Sequence, residues 1–517
     1  MNTPSTTGLP VAAALCRQRR FLRSKRVRAV SLFVGCGLIA MWQFSFLVAR
    51  ARVEPKYKMR ASSGMYEVDK FTYFLYYTGL YPVATTIAGP PQSKEGAREI
   101  LKTRGDTLLT EWGHTTRYGD LGKALLFLPV AYLKGSAASP SVIPFHAFLF
   151  TLSLILLYAG FWRLHLEILG AAAVLFVGSD PFQLFEVYGN PNVFGWPITT
   201  AILVLALHLP FLTRLRPRLT PFLWLVPVIT GVALSSVRQI RTEPVAIILS
   251  AAVCYLFLSR TPWTKRLALL GLLVSSFLAA NKTWDAYFDF KLKQAERIVR
   301  EAGGTPYPGP RDRFHMFWHP IWCGLGDFDT KYGYDLWKDQ SAANYAFPIL
   351  REKYKVKLPD WDGNSLVSKS DFWDEGRKYY KTPYEIPHYD EVLRGKVVHD
   401  VTHDPLWFAG ILARRMVHAL RDTTPVSLAV GNWRIEFPVF LGFAFVPLVL
   451  FLLWMRSWLL LKVMLFTLPL SCTSILVYAL RGTTYYAIFN LLTAAVLLAL
   501  ILEAFLRWKD RRTANND

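Results

Sequence analysis

The sequence predicts an all-α polytopic membrane protein of about ten transmembrane helices with a mainly helical extracytoplasmic insertion, and three observations predict it. Hydrophobic residues make up 52% of the 517 positions, and the mean hydropathy is positive at +0.25. The apolar residues gather in uncharged runs near the roughly 20 residues that an α-helix needs to cross about 30 Å of hydrocarbon. The formal net charge of +22 sits largely in short basic clusters beside those runs, where Lys and Arg hold loops on the cytoplasmic side. The charge therefore reports topology, and no nucleic-acid partner is expected. Of the cysteines at 16, 36, 254, 323 and 472, only Cys323 falls in an outward segment, which leaves no disulfide framework.

In chain order, residues 1–28, with RQRRFLRSKRVR, form a basic cytoplasmic N-terminus. The apolar run 29–48 reads as an uncleaved anchor, because it is long for a signal-peptide core and ARARVEPK is a poor small-residue cleavage site. The membrane domain 29–282 is expected to hold helices 1–7 and an extracytoplasmic loop at 51–142, too polar before Asp120 to lie in hydrocarbon. LGKALLFLPVAYLKG (121–135) is about half a span and reads as an interfacial helix. With that helix on the surface, RLHLE (163–167), TRLRPRLT (213–220), SRTPWTKR (259–266), Arg456 and RWKDRR (507–512) all share the side of the N-terminus. If it crossed, the charge bias would fail.

The remaining runs lie at about 143–160, 166–178, 193–211, 221–237, 243–259 and 265–281, then at 434–455, 457–479 and 485–506. Segment 283–432, rich in Trp, Tyr, Asp and Lys and broken by GGTPYPGPRDR, is expected to be an extracytoplasmic domain. It ends in an interfacial helix over DPLWFAGILARRMVHALRD (404–422), whose apolar and basic faces alternate at helical spacing. Helices 8–10 occupy 433–506, and 507–517 is a cytoplasmic tail. Compact loops and the lack of targeting extensions point to a bacterial inner membrane with both termini cytoplasmic.

The first outward loop carries Asp69, Asp106, Glu111 and Asp120. A carboxylate at the bilayer surface can act as general base towards a hydroxyl, because partial desolvation raises its basicity. The alternative for each is a solvated loop acid. Arg238, Arg241 and Arg481 stand at outward membrane edges, where a guanidinium can hold a lipid phosphate in a two-pronged pair. The alternative is snorkelling, or pairing with a local acid such as Glu243. The cluster RFHMFWHPIWCGLGDFDTKYGYDLW (313–337) offers His315, Trp318 and His319 for substrate contact, with aromatic faces suited to sugar rings. His315 and His319, four apart, with Asp327 and Asp329 following, could hold a metal, but Pro320 is expected to end a helix there, and packing of the outer domain is the third reading. Asp180 and Glu186, in the turn 178–192, are ionisable groups close to the membrane interior.

The layout resembles the GT-C membrane glycosyltransferases, especially the protein O-mannosyltransferase and aminoarabinose transferase group. Asp69 with Tyr73 resembles their acidic D(E)xxxY element after the first helix. YGDLGKALLFLP is similar to their HPPLGK element, with Asp120 in place of the His-Pro-Pro. GVALSSVRQIRTEP resembles a Gly-Leu-Ala helix ending near a basic residue, and RGTTYYAIFN, with Tyr485, resembles the late RYxxP element without its proline. An enlarged loop before the last three helices also has its counterpart.

The resemblance implies transfer of a sugar from a polyprenyl-phosphate donor to an acceptor hydroxyl on a glycan, lipid or protein. Asp69 would be the base, and Arg241 and Arg481, with Arg238 beside them, would bind the departing phosphate. Asp120 or Glu111 would orient the acceptor or hold a divalent cation, Mg or Mn, and Tyr73 and Tyr485 would contact substrate. Three other readings stay open. An O-antigen-type ligase or polymerase would use Arg or His of the outer domain, a transporter or flippase would use Asp180 and Glu186, and a non-catalytic component of a polysaccharide system would use none of these.

Overall fold

The computed structural model describes residue 95 and residues 25–52, 128–133, 135, 143–189, 195–212, 220–240, 245–301, 317–335, 339–356, 386–421, 426–437, 441–471, 476 and 483–514. The chain is mostly helical. In order come α1 (Lys25–Arg52), α2 (Ile143–Arg163), α3 (Glu167–Ser179), α4 (Pro181–Leu184) with a π turn (Phe185–Gly189), α5 (Gly195–His208), α6 (Pro221–Arg238), α7 (Val245–Val253) and α8 (Trp263–Glu301). Segment 283–432 contributes α9 (Trp318–Leu325), α10 (Asp339–Glu352), α11 (Tyr389–His403) and α12 (Pro405–Arg421). An antiparallel hairpin, β1 (Val426–Val430) and β2 (Trp433–Phe437), precedes α13 (Leu441–Trp454), α14 (Trp458–Thr467) and α15 (Thr483–Ala514).

Among the described residues five helices are long and apolar enough to cross a membrane: Val27–Ala49, Ile143–Arg163, Gly195–Leu212, Pro221–Arg238 and Trp263–Lys291. Glu167–Ser179, Ala246–Leu258, Ala444–Trp454, Trp458–Thr467 and Leu491–Leu506 are apolar but shorter. One end of the bundle is basic. Arg28 there donates to the Trp162 carbonyl (3.2 Å), lies 3.7 Å from Glu167 and stacks 4.5 Å over the Trp162 ring. The turns at His165 and Arg456 both take a left-handed conformation, which lets two helices reverse within three residues while a basic head stays outside. Arg266 donates to the carbonyls of Leu256 and Thr261, each at 2.7 Å, and so closes orphan acceptors near the end of α7.

Two expected boundaries move. No Gly or Pro interrupts residues 272–302, so α8 runs unbroken for 39 residues, about 58 Å at 1.5 Å per residue, and carries the expected boundary at 282/283 inside it. Leaving hydrocarbon changes side-chain polarity without breaking a helix. The expected apolar segment 434–455 instead opens as a strand: WRIEF alternates Trp433, Ile435 and Phe437 with Arg434 and Glu436, and Gly431 supplies the positive φ of the tight turn.

Segment 283–432 has a core of its own, built on Trp322, Tyr334, Phe347, Tyr389, Leu393 and Ile411. Its aromatic density is spent on packing. The Lys396 ammonium lies 5.1 Å from the Tyr345 ring, 5.4 Å from Tyr334, 5.9 Å from Tyr332 and 6.0 Å from Trp322, and pairs with Asp400 at 2.8 Å. The α12 helix, in the place expected for an interfacial helix, buries Trp407, Ile411 and Arg415 at four-residue spacing and exposes Leu406, Met416 and Val417.

Candidate functional site

The end of the bundle opposite Arg28 is built around the reversal between α3 and α5. The Ser179 carbonyl accepts the Ser427 hydroxyl, and Ser179 Oγ accepts the Ala429 N–H at 3.0 Å, so β1 is seated on the end of α3. From α1, Trp42 donates its indole N–H to the Ala429 carbonyl at 2.8 Å, and Gln43 Nε2 donates to the Gly178 carbonyl at 3.3 Å. Gly178 has to be glycine here, since a Cβ would stand 2.7 Å from the Trp42 ring. Asp180 then starts α4: its carboxylate accepts the Gln183 backbone N–H at 2.9 Å, one of the amides a helix start leaves open. The π turn that follows directs Glu186 and Tyr188 inward, and Tyr188 donates to Gln43 Oε1 at 2.8 Å.

Behind that reversal lies a buried polar cluster. Thr199 Oγ1 stands 3.1 Å from His146 Nε2 and accepts Gln183 Nε2 at 3.3 Å, and Gln183 Nε2 also reaches the Gly195 carbonyl at 3.5 Å. The His146 ring stacks on Trp196 with centroids 4.1 Å apart and planes 6° from parallel. Gly195 makes room for both walls, because a Cβ there would sit 2.7 Å from His146 and 3.0 Å from Glu186. Asp180, Gln183, Glu186, His146, Thr199 and Trp196 are all buried. Ionisable groups enclosed in an apolar bundle are costly and mark functional sites.

Burial pushes the Asp180 carboxyl from its ordinary 3.8 up to about 6, against the opposing pull of the Gln183 N–H and of Arg434 on β2. A carboxyl with a raised folded value binds a proton more tightly when folded, so the stability it contributes is full below about pH 4 and is lost as pH rises through about 6. Asp180→Asn is expected to flatten that part of the profile. Thermal unfolding in nanodiscs between pH 4 and pH 7 checks it, and an unchanged slope would remove Asp180 as the titrating group.

Asp69, Tyr73, Asp106, Glu111, Asp120, Arg241, Arg481 and His315 lie outside the described residues. Tyr485 falls in the first turn of α15. Arg238 ends α6, half-buried, with its guanidinium 5.9 Å over the Phe277 ring and Asp285 of α8 as a charged neighbour, while Glu243 lies outside the described residues. His319 is buried, with its Nδ1 3.1 Å from the Tyr389 hydroxyl and its Nε2 3.7 Å from Cys323 Sγ. Trp318 donates its backbone N–H to Asp390 at 3.1 Å, and its ring meets Phe317 edge-on. Pro320 does not end a helix but sits in the first turn of α9, where no intrahelical N–H is needed. Among the described residues no three His, Cys, Asp or Glu side chains are grouped to hold a metal.

No protein family, curated protein or solved structure matches this chain.

Sequence reasoning singled out Asp180 and Glu186 but passed over His146, Gln183, Trp196 and Thr199. The available signal was a His inside the apolar run VIPFHAFLF and the polar residues of DPFQLFEVYG.

Proposed function

We propose that the chain is an integral membrane glycosyltransferase of GT-C type, moving a sugar from a polyprenyl-phosphate donor to an acceptor hydroxyl at the extracytoplasmic face. One observation supports this above the others. Buried polar side chains of the membrane domain, among them His146, Asp180, Gln183, Glu186 and Thr199, collect at the end on which the outer hairpin is seated. A lipid-linked donor lying in the bilayer meets protein polar groups at that level, and an acceptor arrives from the outer side.

In this reading the five long and five shorter apolar helices make ten crossings, both termini are cytoplasmic, and the membrane is a bacterial inner membrane. The exposed Leu406, Met416 and Val417 of α12 rest on lipid. During transfer the bond from the anomeric carbon to the phosphate oxygen breaks, and polyprenyl phosphate leaves with the electron pair. The acceptor oxygen bonds to that carbon and its proton passes to Asp69. Arg241 and Arg481 stabilise the charge that grows on the phosphate.

Asp69→Asn is expected to lower turnover by about 100-fold or more, the range of a lost general base, with unchanged abundance in the membrane. Release of polyprenyl phosphate from a polyprenyl-phosphate sugar, followed by mass spectrometry in native membranes that supply the acceptor, reads it without that acceptor having to be identified. Normal release from the variant would remove Asp69 as base.

Burial of Asp180 and Glu186 beside the break between α3 and α5 favours a second reading, a transporter or flippase, since carriers place ionisable groups at interrupted helices. Under that reading Glu186→Gln abolishes movement of the lipid-linked sugar across proteoliposomes, and Asp69→Asn leaves it intact.

A further inference from the structure

Two side-chain atoms of the buried cluster, Gln183 Oε1 and Trp196 Nε1, have no hydrogen-bond partner among the described residues. A buried donor or acceptor left dry is costly, and both belong to residues tied to His146, Gln183 through Thr199 and Trp196 through its stack on the imidazole. The orientation of the Gln183 amide follows from its own contacts: Nε2 points at the Gly195 carbonyl, which can only accept, so Oε1 is the open acceptor. The Trp196 indole N–H can only donate.

We infer that the His146–Gln183–Trp196 cluster is a binding site for a neutral hydroxyl-bearing group, the sugar of the lipid-linked donor. A hydroxyl donates to Gln183 Oε1 and accepts from Trp196 Nε1, whereas a phosphate dianion offers only acceptors and an ammonium only donors. The assignment of the hydroxyl to a sugar rests on the transferase reading. The binding test below does not require turnover, so it can fail while Asp69→Asn still behaves as expected, and the reverse.

The decisive variant is Trp196→Phe. It keeps an aromatic ring against His146 and removes a donor that makes no hydrogen bond in the protein, so a purely structural role predicts equal or higher stability and unaltered binding. Gln183→Met, of similar volume, is the second variant. The probes are undecaprenyl phosphate alone and undecaprenyl phosphate carrying glucose, mannose or galactose, titrated into purified full-length protein in nanodiscs. We expect the wild type to bind at least one sugar-bearing lipid about 10-fold more tightly than the bare phosphate, and both variants to lose most of that difference while binding the bare lipid as before. The proposal is overturned if the wild type does not distinguish any sugar-bearing lipid from the bare one, which would leave the cluster to water. It is equally overturned if Trp196→Phe retains the full discrimination.

Discussion

Replacing Arg415 with Met is expected to destabilise segment 283–432 by about 3–5 kcal/mol, the cost of removing one partner from a buried ion pair. The Arg415 and Asp327 side chains are both 0% exposed, with Nε 3.2 Å from Asp327 Oδ2. Methionine fills a comparable apolar volume, so the loss comes chiefly from a carboxylate left in an apolar interior without its cation. The guanidinium also donates from Nη1 to the Leu476 carbonyl at 3.0 Å, joining α12 to the chain between α14 and α15. Urea unfolding of the purified protein, together with trypsin cleavage inside 283–432, reads both consequences. The double variant Arg415→Met, Asp327→Leu is expected to recover most of the loss, because an apolar pair of similar size needs no partner. Unfolding of Arg415→Met at the wild-type midpoint would show that the pair contributes nothing.

Gly231→Val is expected to cost about 3 kcal/mol, the upper end of the over-packing range. The α6 and α8 helices pack side by side, joined by Ser235 to Asn281 at 3.0 Å and by Trp284 Nε1 to Ser236 at 3.3 Å. A Cβ on Gly231 would overlap the Ser276 hydroxyl and would stand 2.7 Å from the Leu273 carbonyl oxygen and 2.9 Å from the Phe277 nitrogen. The hydroxyl can rotate away but the two backbone atoms cannot, so the helices must separate. Small residues let helix backbones approach in this way inside membranes, where dispersion contacts and a few hydrogen bonds hold helices together. Thermal unfolding in detergent reads the loss. A melting temperature equal to that of the wild type would show that the helices part without penalty.

Helix positions were legible where hydropathy alone decides them. The run expected at 221–237 is α6, Pro221–Arg238, and that at 143–160 is α2, Ile143–Arg163, because an uninterrupted apolar stretch in lipid has to satisfy its backbone internally. Arg28, from the basic flank of the first apolar run, meets Trp162 and Glu167 beside the RLHLE turn.

What only the tertiary structure decided depends on partners distant in the chain. The length of α8 is not among these: it follows from the absence of Gly and Pro over 272–302, a local signal that the change of polarity near 283 obscures. His146, Gln183 and Thr199 are scattered over three elements, and no local period relates them until α2, α4 and α5 converge. The aromatic segment 313–337 could stack on a sugar or fill a core with the same residues. The fold chose the core, because Lys396 and Asp400, more than 60 positions further on, turn Tyr334 and Trp322 inward. The sequence by itself determined the apolar helices and the basic turns, which follow from each segment's own free energy of transfer. The buried cluster, the Arg415–Asp327 pair and the seat of the hairpin were decided by contacts between segments, which a local pattern does not encode.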